Sequence, residues 1–206
     1  MKRVLITASA LFISVSYAGA QTTKAKLGVR AGVNLSNVIK SGDSDFSTGS
    51  KMGFNAAVFA DLPLAAVFSI QPEVQFSQKG FKSTGTFLGA PYEYKQTTNF
   101  IEVPVLAKIK PVPSFAILAG PQFSFLTSTT TKFNVNNTSY EDKVKTENDN
   151  LRKNILGGVL GLEATASNFV VGLRYNMDFQ QNNGDGTSTT LKYKNQVTSL
   201  YVGFTF

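Results

Sequence analysis

Six charged residues fall on what the local alternation makes a polar face: Arg30, Glu73, Glu102, Lys108, Arg174 and Asp178. Glu73 and Glu102 are the pair whose types could do chemistry, because two carboxylates flanking a bond can divide acid and base work in glycoside hydrolysis. The same six charges could instead neutralise one another as a buried ion-pair network, or line a narrow path as a gate. Composition narrows the choice. The 206 residues include no His and no Cys, which removes Ser–His–Asp hydrolysis, imidazole or thiolate metal ligation and Cys nucleophiles. No spacing of Ser, Lys or Asp suggests another nucleophile, so the sequence predicts no catalytic residue, no cofactor and no metal. The net charge of +7 comes from 20 basic residues spread along the chain; without a basic stripe, nucleic acid is not an expected partner.

The elements that must hold these charges are strands. Residues 1–20 read first as an export signal: Lys2 and Arg3, an apolar run over 4–17, then Ala18-Gly19-Ala20 ahead of Gln21. The remainder, 21–206, reads as one domain with no sustained helical period. Alternating apolar and polar residues recur in eight segments, beginning with Leu27, Val29, Ala31, Val33 and Leu35 and ending with Leu200, Val202, Phe204 and Phe206. The Gly-rich stretch over 155–163 leaves its facing open. Connections alternate between short turns at 61–64, 111–114 and 165–168 and long polar loops at 37–50, 79–97, 127–152 and 180–194. Short turns at one end and long loops at the other are the pattern of an outer-membrane barrel.

A water-soluble ligand-binding barrel would alternate too, but its outer face would be rich in Lys and Glu. Here the polar face carries Gly, Ser, Asn, Gln and Thr with few charges, which suits a packed interior and turns the apolar face to lipid. The expectation is an all-β, eight-stranded antiparallel up-and-down transmembrane barrel. At that size side chains fill the interior, so neither a sugar nor a wide diffusion path fits. Pro72, Pro104 and Pro121 cut against the strands, since each removes a ladder hydrogen bond and must sit at a bulge or a break.

The blocks over 27–36, 71–80 and 101–108, with Gly120-Pro121 and Gly172-Leu173-Arg174-Tyr175, resemble the PorT-type outer-membrane β-barrel family of Bacteroidota. The resemblance spans essentially all of 21–206 and makes prolines expected at 72, 104 and 121. It implies a small barrel in the outer membrane, similar to OmpA and OmpX barrels, in a family of mostly unassigned role. Val202, Phe204 and Phe206 resemble the C-terminal signal read by the barrel-assembly machinery, with Tyr201 where that signal often has a small residue. The functional expectation is a non-catalytic barrel with a structural or surface-interaction role. Its partners would be outer-membrane lipid and lipopolysaccharide, together with a protein meeting loop residues such as Phe81, Phe87, Tyr92 and Tyr94. The alternatives are a narrow or gated channel and a soluble periplasmic barrel.

Overall fold

The computed structural model describes residues 24–40, 48–87, 90–135, 138–144, 151–183 and 192–206. The expected export signal lies outside them. The strands are β1 (Lys26–Lys40), β2 (Gly49–Ala65), β3 (Phe68–Phe87), β4 (Ala90–Val112), β5 (Phe115–Val135), β6 (Thr138–Val144), β7 (Asn154–Ala166), β8 (Phe169–Asp178) and β9 (Tyr193–Thr205). All pairings are antiparallel, and β1 meets β9 while β4 meets β5, so the sheet closes on itself. Strand β6 adds no stave to the ring. It pairs with Thr129–Val135 of β5, whereas β7 pairs with Phe115–Phe125 further down the same strand. The ring is therefore the eight-stranded barrel that the alternation predicts.

Two different surroundings make the alternation stable. On β8, Phe169, Val171, Leu173 and Tyr175 are exposed on the outside, while Arg174, Asn176 and Asp178 are buried inside. Leu27, Val29, Val33 and Leu35 of β1 are likewise exposed, and Arg30, Asn34 and Ser36 are buried. Strand β7 takes the same sense, with Leu156, Leu160 and Leu162 outward and Ile155, Val159 and Glu163 inward. An apolar belt around a polar interior suits hydrocarbon, and a closed ring pairs the backbone groups that lipid could not satisfy. The soluble-barrel alternative needs the opposite facing, with the apolar set around a ligand cavity, and is overturned.

The strands run further than turn and loop signals suggest. Asp61-Leu62-Pro63-Leu64 is not a turn; β2 continues to Ala65, with Leu62 paired to Ile70, and the chain reverses at Ala66–Val67. Asp61 reads as turn chemistry only if its carboxylate is solvated, and here it faces inward to Lys108 and Lys110. The expected loop over 79–97 is instead the extension of the β3–β4 hairpin, paired from Lys79↔Thr98 to Phe87↔Ala90. The expected loop over 127–152 is largely the top of β5 with β6. Polar side chains there reflect an aqueous or headgroup environment rather than loss of strand structure.

Pro72, Pro104 and Pro121 each sit beside a lapse in pairing. The β2–β3 ladder passes from Phe59↔Glu73 to Leu62↔Ile70 across Pro72. The β3–β4 ladder passes from Pro72↔Val105 to Gln75↔Glu102 across Pro104, and β4–β5 from Pro104↔Gln122 to Ala107↔Ala119 across Pro121. In all three the pairing resumes in the same register. The missing N–H therefore costs a local gap and no slip of side chains between faces.

Candidate functional site

The interior of the ring is the candidate site, and it is built by strand parity. Inward positions on β3 are Gln71, Glu73, Gln75, Ser77 and Lys79; those on β8 are Arg174, Asn176 and Asp178. At its centre, Arg174 makes two parallel hydrogen bonds to Glu73, Nη1 to Oε2 and Nη2 to Oε1, both 2.8 Å. Arg30 Nη2 donates to the same Glu73 Oε2 at 2.8 Å, and Gln71 Nε2 donates to Oε1 at 2.8 Å. Glu73 is 1% exposed, so both guanidinium groups are needed to hold a full charge away from water.

Tyr201 binds the two arginines together. Its ring lies between them, 4.7 Å from Arg30 Cζ and 4.8 Å from Arg174 Cζ, a cation–π contact on each. Its hydroxyl accepts from Arg174 Nε at 2.9 Å and donates to Glu163 Oε1 at 2.7 Å. Glycines flank it on both neighbouring strands, in the register Gly32↔Tyr201 and Gly172↔Tyr201. A Cβ on Gly172 would stand 2.2 Å from the Tyr201 ring, so only glycine leaves that space open.

Two further groups flank this centre. Toward the tight turns, Lys108 pairs with Glu163 at 2.5 Å and lies 3.5 Å from Asp61, which Lys110 meets at 2.7 Å. Toward the long hairpins, Lys79 bridges Glu102 at 2.8 Å and Asp178 at 3.2 Å. Glu102 also accepts from Gln75, Gln122 and Ser124 at 2.8–3.0 Å, and Asp178 accepts from Asn195 at 2.6 Å. Above Lys79 the lumen turns apolar, with Phe100, Leu126, Leu151 and Ile155 in one cluster and Val38, Phe81 and Tyr193 in another. The cavity between them holds about 10 Å³, room for one water molecule.

All six residues named from the sequence point into the lumen, and Arg30, Glu73 and Arg174 touch directly. Lys79 holds Glu102 and Asp178 together, Glu102 reaches the centre through Gln75, and Lys108 reaches it through Glu163 and Gln71. The sequence reading did not place Lys79 or Glu163 among these charges. Arg30 contacts Glu73, Asn55 and the Gln75 side-chain carbonyl and does not reach Glu102; Lys79 is the cation there. Lys79 continues the parity of Glu73 and Gln75, a signal hidden by ending the strand at Ser77. Tyr201 continues that of Ser199 and Thr205 in the same way.

The proposed loop contacts divide. Phe81 is buried and edge-on to Tyr193 at 5.2 Å between ring centres, so it is a packing residue and not an exposed contact. Tyr94 packs partly against that cluster, and Tyr92 lies 6.0 Å from the Phe133 ring. The Phe87 side chain is outside the described residues. Val202, Phe204 and Phe206 all point outward along or just beyond β9.

With this geometry in place, the comparisons with known proteins carry a family assignment. The model of the outer membrane protein beta-barrel domain family matches residues 19–184. The chain belongs to that family. It is accordingly an outer-membrane barrel; nothing in the match separates the PorT type from its relatives. No curated protein matches the chain. Its fold is similar to that of Ail, the attachment invasion locus protein of Yersinia pestis, solved with the heparin analogue sucrose octasulfate. There identity is 15% over 89% of this chain and all of that one, with a TM-score of 0.50. A major outer membrane protein from Thermus thermophilus (16%, 89% and 100% covered, TM-score 0.49) and neisserial surface protein A (14%, 89% and 100%, 0.48) are also similar.

Proposed function

We propose that this protein is a closed, non-catalytic outer-membrane barrel that acts through its long hairpins. In this reading it is exported by a signal cleaved after residue 20, and Val202, Phe204 and Phe206 present the C-terminal strand to the barrel-assembly machinery. Its tight turns face the periplasm and the β3–β4 and β5–β6 hairpins stand at the cell surface. There they meet lipid, lipopolysaccharide or a protein through residues such as Tyr92 and Tyr94. The observation that supports it best is the pairing of charge across the lumen. Asp61, Glu73, Glu102, Glu163 and Asp178 are each paired with a cation across strands, and Leu106 and Leu118 fill space beside them with no exposure. A charge ring that conducts needs open, partly hydrated groups, whereas these are locked to one another.

Planar-bilayer recording on the refolded protein tests this reading against a gated channel. The expected result is no conductance steps. A steady current that Glu73→Ala or Arg174→Ala alters would overturn it. Replacing 84–93 by a two-residue turn should leave the heat-modifiable gel band intact; loss of the band would make the hairpin part of the barrel's folding core instead of a contact surface.

A further inference from the structure

Three lysines stand side by side on the outer face of the hairpin extension. The register is Lys82↔Lys95 between β3 and β4 and Lys95↔Lys132 between β4 and β5. All three side chains are exposed. Like charges directly opposite one another on adjacent strands repel, at about 5 Å between Cβ atoms. Among the described residues Lys82 and Lys95 have no carboxylate partner. Glu93 shares their face two residues further along β4, and Glu141 stands opposite Lys132 in the β5–β6 register.

The third lysine is there because of a bulge. Pairing steps from Phe100↔Leu126 to Asn99↔Ser128, leaving Thr127 unopposed, and the Thr127 hydroxyl donates to the Asn99 carbonyl at 2.9 Å. One extra residue reverses the facing of everything beyond it. Below the bulge, even-numbered residues of β5 such as Gln122 and Ser124 point inward; above it Lys132 points out. An irregularity in the backbone thus completes a row of like charges.

Its height is also informative. On the same strands, Phe76, Ile101 and Phe125 form a rung near the top of the apolar belt. Just above them Gln78 donates to Asn99 at 3.2 Å and Asn99 to Ser128 at 2.9 Å, a polar rung that ends the belt. Lys95 is four residues beyond Asn99, about 13 Å along the strand and about 10 Å in height at an ordinary barrel tilt. Headgroups occupy roughly the first 5–8 Å beyond the hydrocarbon, and a lysine stem can bend back to reach them.

We propose that Lys82, Lys95 and Lys132 form a binding site for the phosphates of outer-leaflet lipid headgroups. The inference rests on the orientation proposed above, with the long hairpins outside. A phosphate between two neighbouring ammonium groups relieves their repulsion and gains two charge-assisted hydrogen bonds.

The test uses the whole barrel in phosphatidylcholine nanodiscs doped with lipid A, either phosphorylated or dephosphorylated, with retained lipid counted by native mass spectrometry. Wild type should retain the phosphorylated form selectively. K82Q/K95Q/K132Q should weaken retention on the order of 100-fold, at about fivefold per lysine near an anionic surface, while K82R/K95R/K132R should keep it. Equal retention by the Gln triple, or of dephosphorylated lipid A by wild type, would overturn the site. Displacement of the lipid by millimolar inorganic phosphate would make it a free-anion site and overturn the lipid assignment. The chain has no Cys, so T86C reports orientation separately through an impermeant maleimide on intact cells. No labelling overturns both the orientation and the site; labelling without lipid retention overturns the site alone.

Discussion

The lumen and the hairpin extension are built from the same strands, yet they treat charge in opposite ways. Inside the ring Asp61, Glu73, Glu102, Glu163 and Asp178 each have a cation within 4 Å, and Asp61, Glu73 and Glu163 have two. On the extension, Lys82, Lys95 and Lys132 are set in line with one another. Surroundings explain the difference. A buried ion without a partner costs several kcal/mol, so these lumen carboxylates are each held by a cation. Near headgroups the cost of lining up like charges is small, and the row they make is what an anionic ligand can use. Matched charge therefore marks structure in this molecule, and aligned like charge marks a surface suited to binding.

The contrast is most sharply tested at Glu73. Glu73→Gln removes the one carboxylate shared by Arg30 and Arg174, and should destabilise the barrel by about 3–5 kcal/mol. The readout is the urea midpoint of the heat-modifiable band in reconstituted protein. An unchanged midpoint would mean the two guanidinium groups find other partners, and that the lumen is not tightly matched. Tyr201→Phe keeps the ring between the arginines and deletes only the hydroxyl, so about 1.5–3 kcal/mol should be lost in the same assay. Gly172→Ala presses a methyl onto that ring and should cost about 1–3 kcal/mol. Combining it with Tyr201→Ala should recover most of the Gly172→Ala part. Lys132→Gln should have the smallest effect on the barrel, leaving the gel band unchanged. Phosphorylated lipid retention should then fall about fivefold, as for one lysine.

The features legible in the sequence were those carried by parity. Leu173 beside Arg174, or Val29 beside Arg30, announces two faces, and six of the lumen charges were found because each interrupts an apolar run. Lys79 and Phe81 were misplaced for the opposite reason. A strand that leaves the membrane loses its apolar half, so Phe81-Lys82-Ser83-Thr84 looks like loop although its pairing is unbroken to Phe87. Glu163 was obscured by glycines at 157, 158 and 161, which carry no side chain to show facing. Asp61-Leu62-Pro63 carried turn residues, yet the pairing to Ile70 and the buried lysines outweighed them.

Local pattern alone establishes that the chain alternates, how many strands fit into its length, and that no imidazole or thiol chemistry is open to it. Those properties are set by period and residue type. Which charge meets which was decided only by closure of the ring. Arg174 and Glu73 are separated by 101 positions and meet because β3 and β8 lie across the same lumen. The facing of each strand above a bulge was decided there too. The bulge at Thr127 reverses Lys132, and no period-2 pattern can show where a neighbouring strand will set a bulge.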